Sequence, residues 1–268
     1  CQKWVNFKNC SLSRGLNYQQ YQLIYMEIPY SVDELVQATH DVVKVNGLPE
    51  SYIRPIAFYG YGTLGVSPRD NPVYVAIMSW PWGTYLGEEA LQKGIRAKVS
   101  SWRRVGANTI PHAAKATGVY LNSMLAVLEA SRAGYEEAIL LTEDGYVGDG
   151  SGENLFAVKD GVLYTPDLSA SILPGLTRHT VAQIAVGLGY ELREKAMIRT
   201  DLYAADELFM TGTAAEVTPI RSVDDITIGD PGPITKAIQE TYLNVVRGRD
   251  SRWAHWLERS VSAAQAAG

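Results

Sequence analysis

The Asp-Gly pairs at 144–145 and 160–161, in the middle of the chain, constrain its fold more than any other feature. Asp144-Gly145 and Asp160-Gly161 are typical of the tight turns that connect neighbouring strands. Short apolar segments at 138–142, 154–158 and 162–165 lie around these turns. We therefore predict three strands in close succession.

Helical segments lie on both sides of these strands along the chain. Ser31 and Glu34 are spaced as a capping box, apolar residues follow at helical spacing, and Asn46-Gly47 ends the helix. Further helices are predicted over 120–133 and 177–188 and from Pro233 onward, and further strands over 52–59, 73–79, 95–102 and 207–211. Runs of strands with helices between and after them predict an α+β fold.

Residues 81–88 contain two glycines, a proline and two aromatic residues, a composition typical of a connection between domains. The length of 268 residues suffices for two modest domains, each with its own core. We predict a small N-terminal domain over 1–80, a linker over 81–88 and a large domain over 89–268.

Charge and cysteine content argue against several classes of protein. The net charge of −5 provides no basic surface for nucleic acid, and no apolar run approaches the ~20 residues that a membrane-spanning helix needs. Cys1 and Cys10 do not suggest a disulfide framework, so a reducing compartment is expected. We predict a cytoplasmic protein without nucleic-acid, membrane or metal partners.

Lys115 stands among small, uncharged residues, with no acidic residue between positions 105 and 126. Burial among such neighbours would favour the uncharged amine. An uncharged lysine can form a Schiff base, and the small side chains would leave room for a cofactor. The alternative is a solvated loop lysine, which is the commoner situation for an arbitrary lysine.

Three further segments carry groups that suit a binding site. Residues 149–154 place two acidic residues in a tight turn. Taken alone, this segment is more simply interpreted as a turn whose backbone groups are capped by side chains. Residues 173–178 bring a glycine and a hydroxyl to a helix N-terminus, where a phosphate binds well, although plain capping by Thr177 explains them too. Residues 211–215 expose backbone N–H groups after a strand in a similar way.

The order of these segments is more specific than any one of them. Lys-Ala-Thr-Gly-Val-Tyr at 115–120 is followed by Asp-Gly-Ser-Gly-Glu-Asn-Leu-Phe at 149–156, Leu-Pro-Gly-Leu-Thr-Arg at 173–178 and Gly-Thr-Ala-Ala-Glu-Val-Thr-Pro at 212–219. The chain thereby resembles the class IV (fold-type IV) pyridoxal-phosphate aminotransferases, most closely the branched-chain amino acid aminotransferases, over about 27–257. The resemblance implies a two-domain fold similar to that of D-amino acid aminotransferase. A smaller α/β N-terminal domain would precede a larger C-terminal domain with a β-barrel-like sheet.

The resemblance also implies pyridoxal 5′-phosphate as the cofactor and assigns roles to single positions. Lys115 matches the lysine that binds the cofactor and moves the proton during transfer. Tyr120 matches the tyrosine near the cofactor's 3-oxygen, and Asp149 matches the acid at the ring nitrogen. The cofactor phosphate is expected at Leu176, Thr177 and Thr213.

For the substrate, the resemblance implies carboxylate recognition by Tyr52, Arg54 and the backbone amides of Thr213 and Ala214. An apolar pocket is expected from Val66, Trp82 and Tyr85, with Leu64 and Val66 reaching it from a partner subunit of a homodimer or larger homo-oligomer. Without the family, Tyr52 and Trp82 are read equally well as core aromatics.

Two features depart from the family pattern. The acid at the ring nitrogen is normally a glutamate, and Asp149 is shorter by one methylene. Glu153 lies four residues further on, but its position is not that of the ring partner, so we assign the contact to Asp149. Residues 1–25 do not match the family's N-terminal segment, which we expect to be shortened or altered here, and Arg14 has no spacing that supports a role at the phosphate.

These features predict ping-pong transfer of an amino group between branched-chain L-amino acids (Leu, Ile, Val) and 2-oxoglutarate. One alternative on the same fold is a transaminase of D-amino acids or (R)-amines, or a lyase. An alternative of another class is a ligand-binding descendant with weak or no catalysis, to which Asp149 and residues 1–25 point.

Overall fold

A computed structural model of the chain describes residues 21–48, 51–82 and 87–257. These residues divide into two compact units, one of 21–82 together with 244–257 and the other of 87–243. The division into 1–80, 81–88 and 89–268 stays a prediction. Tyr85, Arg14 and both cysteines lie outside the described residues.

The first unit contains helix α1 (Val32–Asn46) and strands β1 (Tyr52–Tyr59) and β2 (Val73–Trp80). The capping box is present, because the Ser31 N–H donates to Glu34 Oε2 at 2.7 Å and the Glu34 N–H donates to Ser31 Oγ. Gly47 ends α1 with a φ of +59°, a conformation that favours glycine. β1 and β2 pair antiparallel, with Tyr52 opposite Trp80. The predicted helix and both strands are confirmed.

The second unit holds most of the remaining regular structure. Its helices are α2 (Glu88–Lys93), α3 (Tyr120–Arg132), α4 (Leu176–Gly187), α5 (Arg199–Tyr203) and most of α6 (Pro233–Val246). Its strands are β3 (Ile95–Arg103), β4 (Glu137–Leu141), β5 (Val147–Gly150), β6 (Asn154–Lys159), β7 (Val162–Thr165), β8 (Leu192–Glu194), β9 (Glu207–Gly212), β10 (Glu216–Val223) and β11 (Ile226–Thr227).

These strands form one nine-stranded sheet in the order β5-β4-β3-β10-β9-β6-β7-β8, with β11 paired to β10. β3 runs parallel to β4 and β10, β7 runs parallel to β8, and the other pairs are antiparallel. The Gly150 N–H donates to the Glu153 carbonyl at 2.7 Å, which brings the edge strand β5 against β6. The sheet therefore curls back on itself, and the predicted barrel-like sheet of an α+β fold is confirmed.

Successive side chains along the strands point to opposite faces of the sheet, and each face packs into its own apolar layer. Leu155 and Ile139 belong to the core inside the curled sheet. Their neighbours face the other way, since Leu140 packs against α3 and Phe156 stacks on Phe209 with ring centroids 5.1 Å apart. Because a one-residue shift would exchange these two faces, the alternation fixes the register of the strands and so the position of the turns that follow them.

The predicted Asp-Gly turns are present. Asp160 and Gly161 both have positive φ, at +51° and +77°, which suits a two-residue hairpin turn. The predictions omitted β5, β8, β10, β11, α2 and α5. In the part of the chain that the structure describes, no helix combines the length and apolar character needed to cross a membrane.

Candidate active site

A cavity opens in the second unit where β3 ends, α3 begins and β5 turns into β6. Its wall includes Lys115, Tyr120 and Asp149, three residues that the family resemblance assigns to the cofactor. Other wall residues are Arg104, Ser123 and Asn154.

Lys115 follows a single turn of 3₁₀ helix (His112–Ala114) and adopts a left-handed conformation with a φ of +49°. Such a backbone costs a non-glycine residue about 1–3 kcal/mol and persists where the surroundings impose it, often at functional sites. Nearby, His112 Nε2 lies 2.5 Å from the Val105 carbonyl. The Lys115 side chain is exposed in the single chain, because its small neighbours leave it open to solvent. The expectation that these neighbours bury the amine is therefore wrong for the single chain.

Helix α3 presents its first turn to the cavity. Tyr120 is its first residue and is 41% exposed, while Ser123 lies three residues later on the same face and is buried. Ser123 Oγ accepts a hydrogen bond from Arg104 Nη1 at 3.0 Å. The helix thereby holds an exposed phenol and a buried hydroxyl along one wall.

Asp149 forms a buried ion pair with Arg104. The Arg104 Nε donates to Asp149 Oδ1 at 2.6 Å, and both side chains are less than a tenth exposed. Burial raises the pKa of Asp149, whereas the Arg104 guanidinium, the charge of His112 and the Leu173 N–H oppose that rise. Both Arg104 contacts are to Oδ1, and the Leu173 N–H is a further donor to the same carboxylate.

The N-terminus of α4 has no side-chain cap. The residue before the helix is Gly175, so a capping role for Thr177 is wrong: it is the second residue of α4, and its hydroxyl hydrogen-bonds Tyr242 of α6. A Cβ on Gly175 would lie 2.2 Å from Asn154 Oδ1, so this position requires glycine. The N–H groups of Leu176 and Thr177 therefore remain open to an anion.

Thr213 and Ala214 lie in the loop between β9 and β10, with Thr213 exposed. The preceding Thr211 pairs with Asn154 across β9 and β6, and its buried Oγ1 has no hydrogen-bond partner among the residues that the structure describes. Asn154 also donates to the Leu173 carbonyl at 2.9 Å, so this residue joins both predicted phosphate loops. Uncapped N–H groups, an obligatory glycine and an unpaired hydroxyl fit the anionic end of a phosphorylated cofactor.

The predicted substrate residues of the first unit form an aromatic cluster. The Arg54 guanidinium lies 5.1 Å from the centre of the Tyr52 ring and 5.5 Å from that of Trp80. The rings of Tyr52 and Trp82 are 4.9 Å apart, and Trp82 is 36% exposed. Leu64 and Val66 are almost fully exposed. Neither Tyr52 nor Trp82 is completely buried, so both keep surface for a ligand.

Sequence reasoning missed Arg104, Ser123 and Asn154. Arg103 and Arg104 are adjacent at the end of β3, and nothing local distinguishes the exposed arginine from the buried one. Asn154 belongs to a recognised segment, but its amide was not singled out. The available signal was a polar residue at the start of an otherwise apolar strand.

Comparison with known proteins agrees with this site and fold. The profile of "Amino-transferase class IV" matches residues 19–223. The chain belongs to the class IV aminotransferases, enzymes that use pyridoxal phosphate.

Within that class, the chain is similar to proteins named for branched-chain amino acids. It is 50% identical to the branched-chain-amino-acid aminotransferase of Escherichia coli K12 over 236 residues, which cover 87% of this chain and 76% of the relative. A crystal structure of the Escherichia coli enzyme superposes with a TM-score of 0.89 at 46% identity, covering 92% of this chain and 83% of that one. The branched-chain amino acid aminotransferase of Thermobaculum terrenum, solved in its PLP form, has a TM-score of 0.87 at 38% identity and covers 92% and 80%.

Proposed function

We propose that this protein transfers amino groups, by a ping-pong reaction with pyridoxal 5′-phosphate, between branched-chain L-amino acids and 2-oxoglutarate. The names of its relatives support the reaction and the substrate class. The observation that carries the proposal is the buried Arg104–Asp149 pair in the same cavity wall as Lys115. An acid held beside a lysine is the arrangement that this cofactor needs.

The residues present fit the cofactor. Lys115 would hold it covalently through its amine, Tyr120 would donate to its 3-oxygen, and Asp149 would accept its ring N–H. Leu176, Thr177 and Thr213 would bind the phosphate through N–H groups and hydroxyls. When bound, the cofactor supplies a protonated ring that withdraws electrons from the substrate α-carbon.

Arg104 compensates for the short side chain of Asp149. The guanidinium Nε donates to Oδ1 at 2.6 Å, which orients the carboxylate. The same positive charge favours the ionised carboxylate, the form that accepts a hydrogen bond from a positive ring nitrogen. Arg104 therefore both orients the Asp149 carboxylate and favours its ionised form.

Lys115 would then move the proton. Once its amine is free, Nζ would take a proton from the α-carbon of the amino donor as a general base and deliver it to C4′ of the cofactor as a general acid. The exposure of Lys115 and the absence of acids at 105–126 leave the amine unpaired by its own segment. The same lysine can thus serve both half-reactions.

Substrate recognition is proposed for the aromatic cluster and the β9–β10 loop. Arg54, with Tyr52, would bind the distal carboxylate of glutamate or 2-oxoglutarate, and Thr213 and Ala214 amides would bind the α-carboxylate. Trp82, Tyr85 and Val66 would accept aliphatic side chains. The nearly full exposure of Leu64 and Val66 favours a homodimer in which this loop meets the partner's pocket.

An absorbance titration tests the proposal. Purified protein mixed with pyridoxal phosphate should develop the visible band of the lysine-bound cofactor, and L-leucine should convert it to the pyridoxamine form. Lys115→Ala should lose band and turnover, whereas Lys93→Ala, a change at an exposed lysine, should retain both. A band that responds only to a D-amino acid or (R)-amine would replace the substrate assignment. A folded protein without any band would favour a ligand-binding descendant.

A further inference from the structure

Two buried carboxyl groups beside the candidate site have no part in the proposed reaction. Glu137, the first residue of β4, is 1% exposed, and Glu153, in the turn between β5 and β6, is 6% exposed. With Asp149 they place three carboxyl groups in the interior around the guanidinium of Arg104. Full ionisation would leave an excess of two negative charges away from water, which is costly.

The guanidinium of Arg104 is committed to other partners. Its Nε and Nη2 contact Asp149 Oδ1, Nη2 also donates to the Gly150 carbonyl at 2.5 Å, and Nη1 donates to Ser123 Oγ. All three nitrogens therefore have partners other than the two glutamates. The charge of Arg104 is matched by Asp149.

The two glutamates differ in the donors that stabilise a negative charge. Glu137 accepts from the Ala138 N–H at 2.7 Å and from both the hydroxyl and the N–H of Ser151. Glu153 accepts from the Gly152 N–H at 3.0 Å. Burial raises the pKa of both glutamates, but the additional donors to Glu137 favour its ionised form, so the charge belongs on Glu137 and the proton on Glu153.

We propose that Glu153 carries a proton at neutral pH and acts as a positioning residue for Asp149, because a neutral Glu153 leaves Asp149 as the carboxylate that Arg104 binds. This inference rests on the proposed role of Asp149 at the cofactor ring. The charge of the acid beside the ring nitrogen would then depend on Glu153, a residue of the same cavity wall that has no assigned role in the reaction.

The surroundings of Glu153 favour its protonated form. The charged groups that face it are Glu137 on β4, Asp149 on β5 and Arg104 after β3. A Cβ on Gly150 would lie 2.8 Å from Glu153 Oε2, and one on Gly212 of β9 would lie 3.4 Å from Glu153 Cγ, so the side chain is closely enclosed. Burial and the charge of Glu137 raise the pKa of Glu153 to about 8.

This arrangement links the site to pH. Above about pH 8 the ionised Glu153 competes with Asp149 for Arg104, and the hold on the ring acid loosens. A carboxyl group whose pKa is raised in the folded state binds a proton there that the unfolded chain releases. Its contribution to stability is therefore present at low pH and is lost as pH rises from about 4.5 to about 8.

Infrared spectroscopy of the full chain in D₂O tests the protonation directly, with and without pyridoxal phosphate. We expect the carbonyl band of a protonated carboxyl group at neutral pH, fading towards pH ~9.5 and absent in Glu153→Gln. A wild-type protein without this band, or a Gln variant that keeps it, would overturn the proposal. The wild-type titration decides the matter even if the variant does not fold.

Cofactor binding tests the positioning role. The dissociation constant of pyridoxal phosphate should rise about tenfold more between pH ~7 and pH ~9.5 in the wild type than in Glu153→Gln, which corresponds to about one pKa unit of coupling. Glu143→Gln, a change at an exposed acid, should behave as the wild type. Equal pH dependence in wild type and Glu153→Gln would refute the role. Failure of L-leucine turnover with these results intact would instead reject the proposed function.

Discussion

Replacing Arg104 by methionine tests whether the ion pair with Asp149 organises the candidate site. Methionine keeps an apolar stem of similar length but removes every donor to Asp149, Ser123 and the Gly150 carbonyl. Asp149 then remains buried without its partner. The unfolding free energy at neutral pH should fall, because an uncompensated buried charge is among the most destabilising changes in a protein.

Two routes set the size of this loss. If Asp149 stays ionised, breaking a buried pair costs about 3–5 kcal/mol. If Asp149 takes up a proton instead, the folded state binds at pH ~7 a proton that an aspartate in the unfolded chain releases, which costs about 4 kcal/mol. Both routes predict a loss of about 4 kcal/mol. Protonation also predicts the sign of the pH effect, since the variant should regain stability as pH falls from about 7 towards about 4.

Urea unfolding at pH ~7 and pH ~5 measures this loss. Arg103→Met, at the exposed neighbouring position, should stay within about 0.5 kcal/mol of the wild type. Adding Asp149→Asn to Arg104→Met should recover a large part of the stability, because the buried charge is gone. A loss below about 1 kcal/mol for Arg104→Met, or a double variant less stable than the single one, would refute the argument.

Other parts of the molecule make separate predictions. Gly175→Ala should weaken pyridoxal phosphate binding about tenfold in a fluorescence titration, because its Cβ displaces Asn154 beside α4; unchanged affinity would contradict this. Trp80→Leu should raise the KM for 2-oxoglutarate about two- to fivefold at constant kcat, by removing a face on which Arg54 stacks; an equal effect on L-leucine would count against it. Glu207→Gln should lower the unfolding free energy in urea by about 1–2 kcal/mol, since this carboxylate accepts the first N–H groups of α6; an unchanged value would show that these bonds add no stability.

Turns and helix ends were predictable because their causes lie within a few residues. The capping box of Ser31 and Glu34 closes over three positions, and Gly47 and Gly161 adopt the positive φ that their places require. These elements appear in the structure with bounds that differ by no more than one residue from the predicted ones. Local chemistry was sufficient for them.

Strands that depend on their neighbours were missed. β5 has the sequence Val-Gly-Asp-Gly, which carries no apolar alternation, and it is a strand because it pairs with β4 and lies against β6. β10 contains Pro219, a residue that argues against a strand interior, yet it pairs with both β9 and β3. In both cases the pairing partner supplies what the local sequence lacks.

The candidate site shows the same division between local and distant causes. The order of four short segments predicts the family, and the resemblance assigns roles to Lys115, Asp149 and the two phosphate loops. The sequence does not predict that Arg104 binds Asp149, that Asn154 joins the two loops, or that Glu137 and Glu153 are buried close to that pair. The Arg104–Asp149 bond spans 45 positions, and its formation depends on the sheet placing the ends of β3 and β5 side by side. The burial of this ion pair and the charges around it arise only when the sheet is assembled, so they could not be predicted without the tertiary structure.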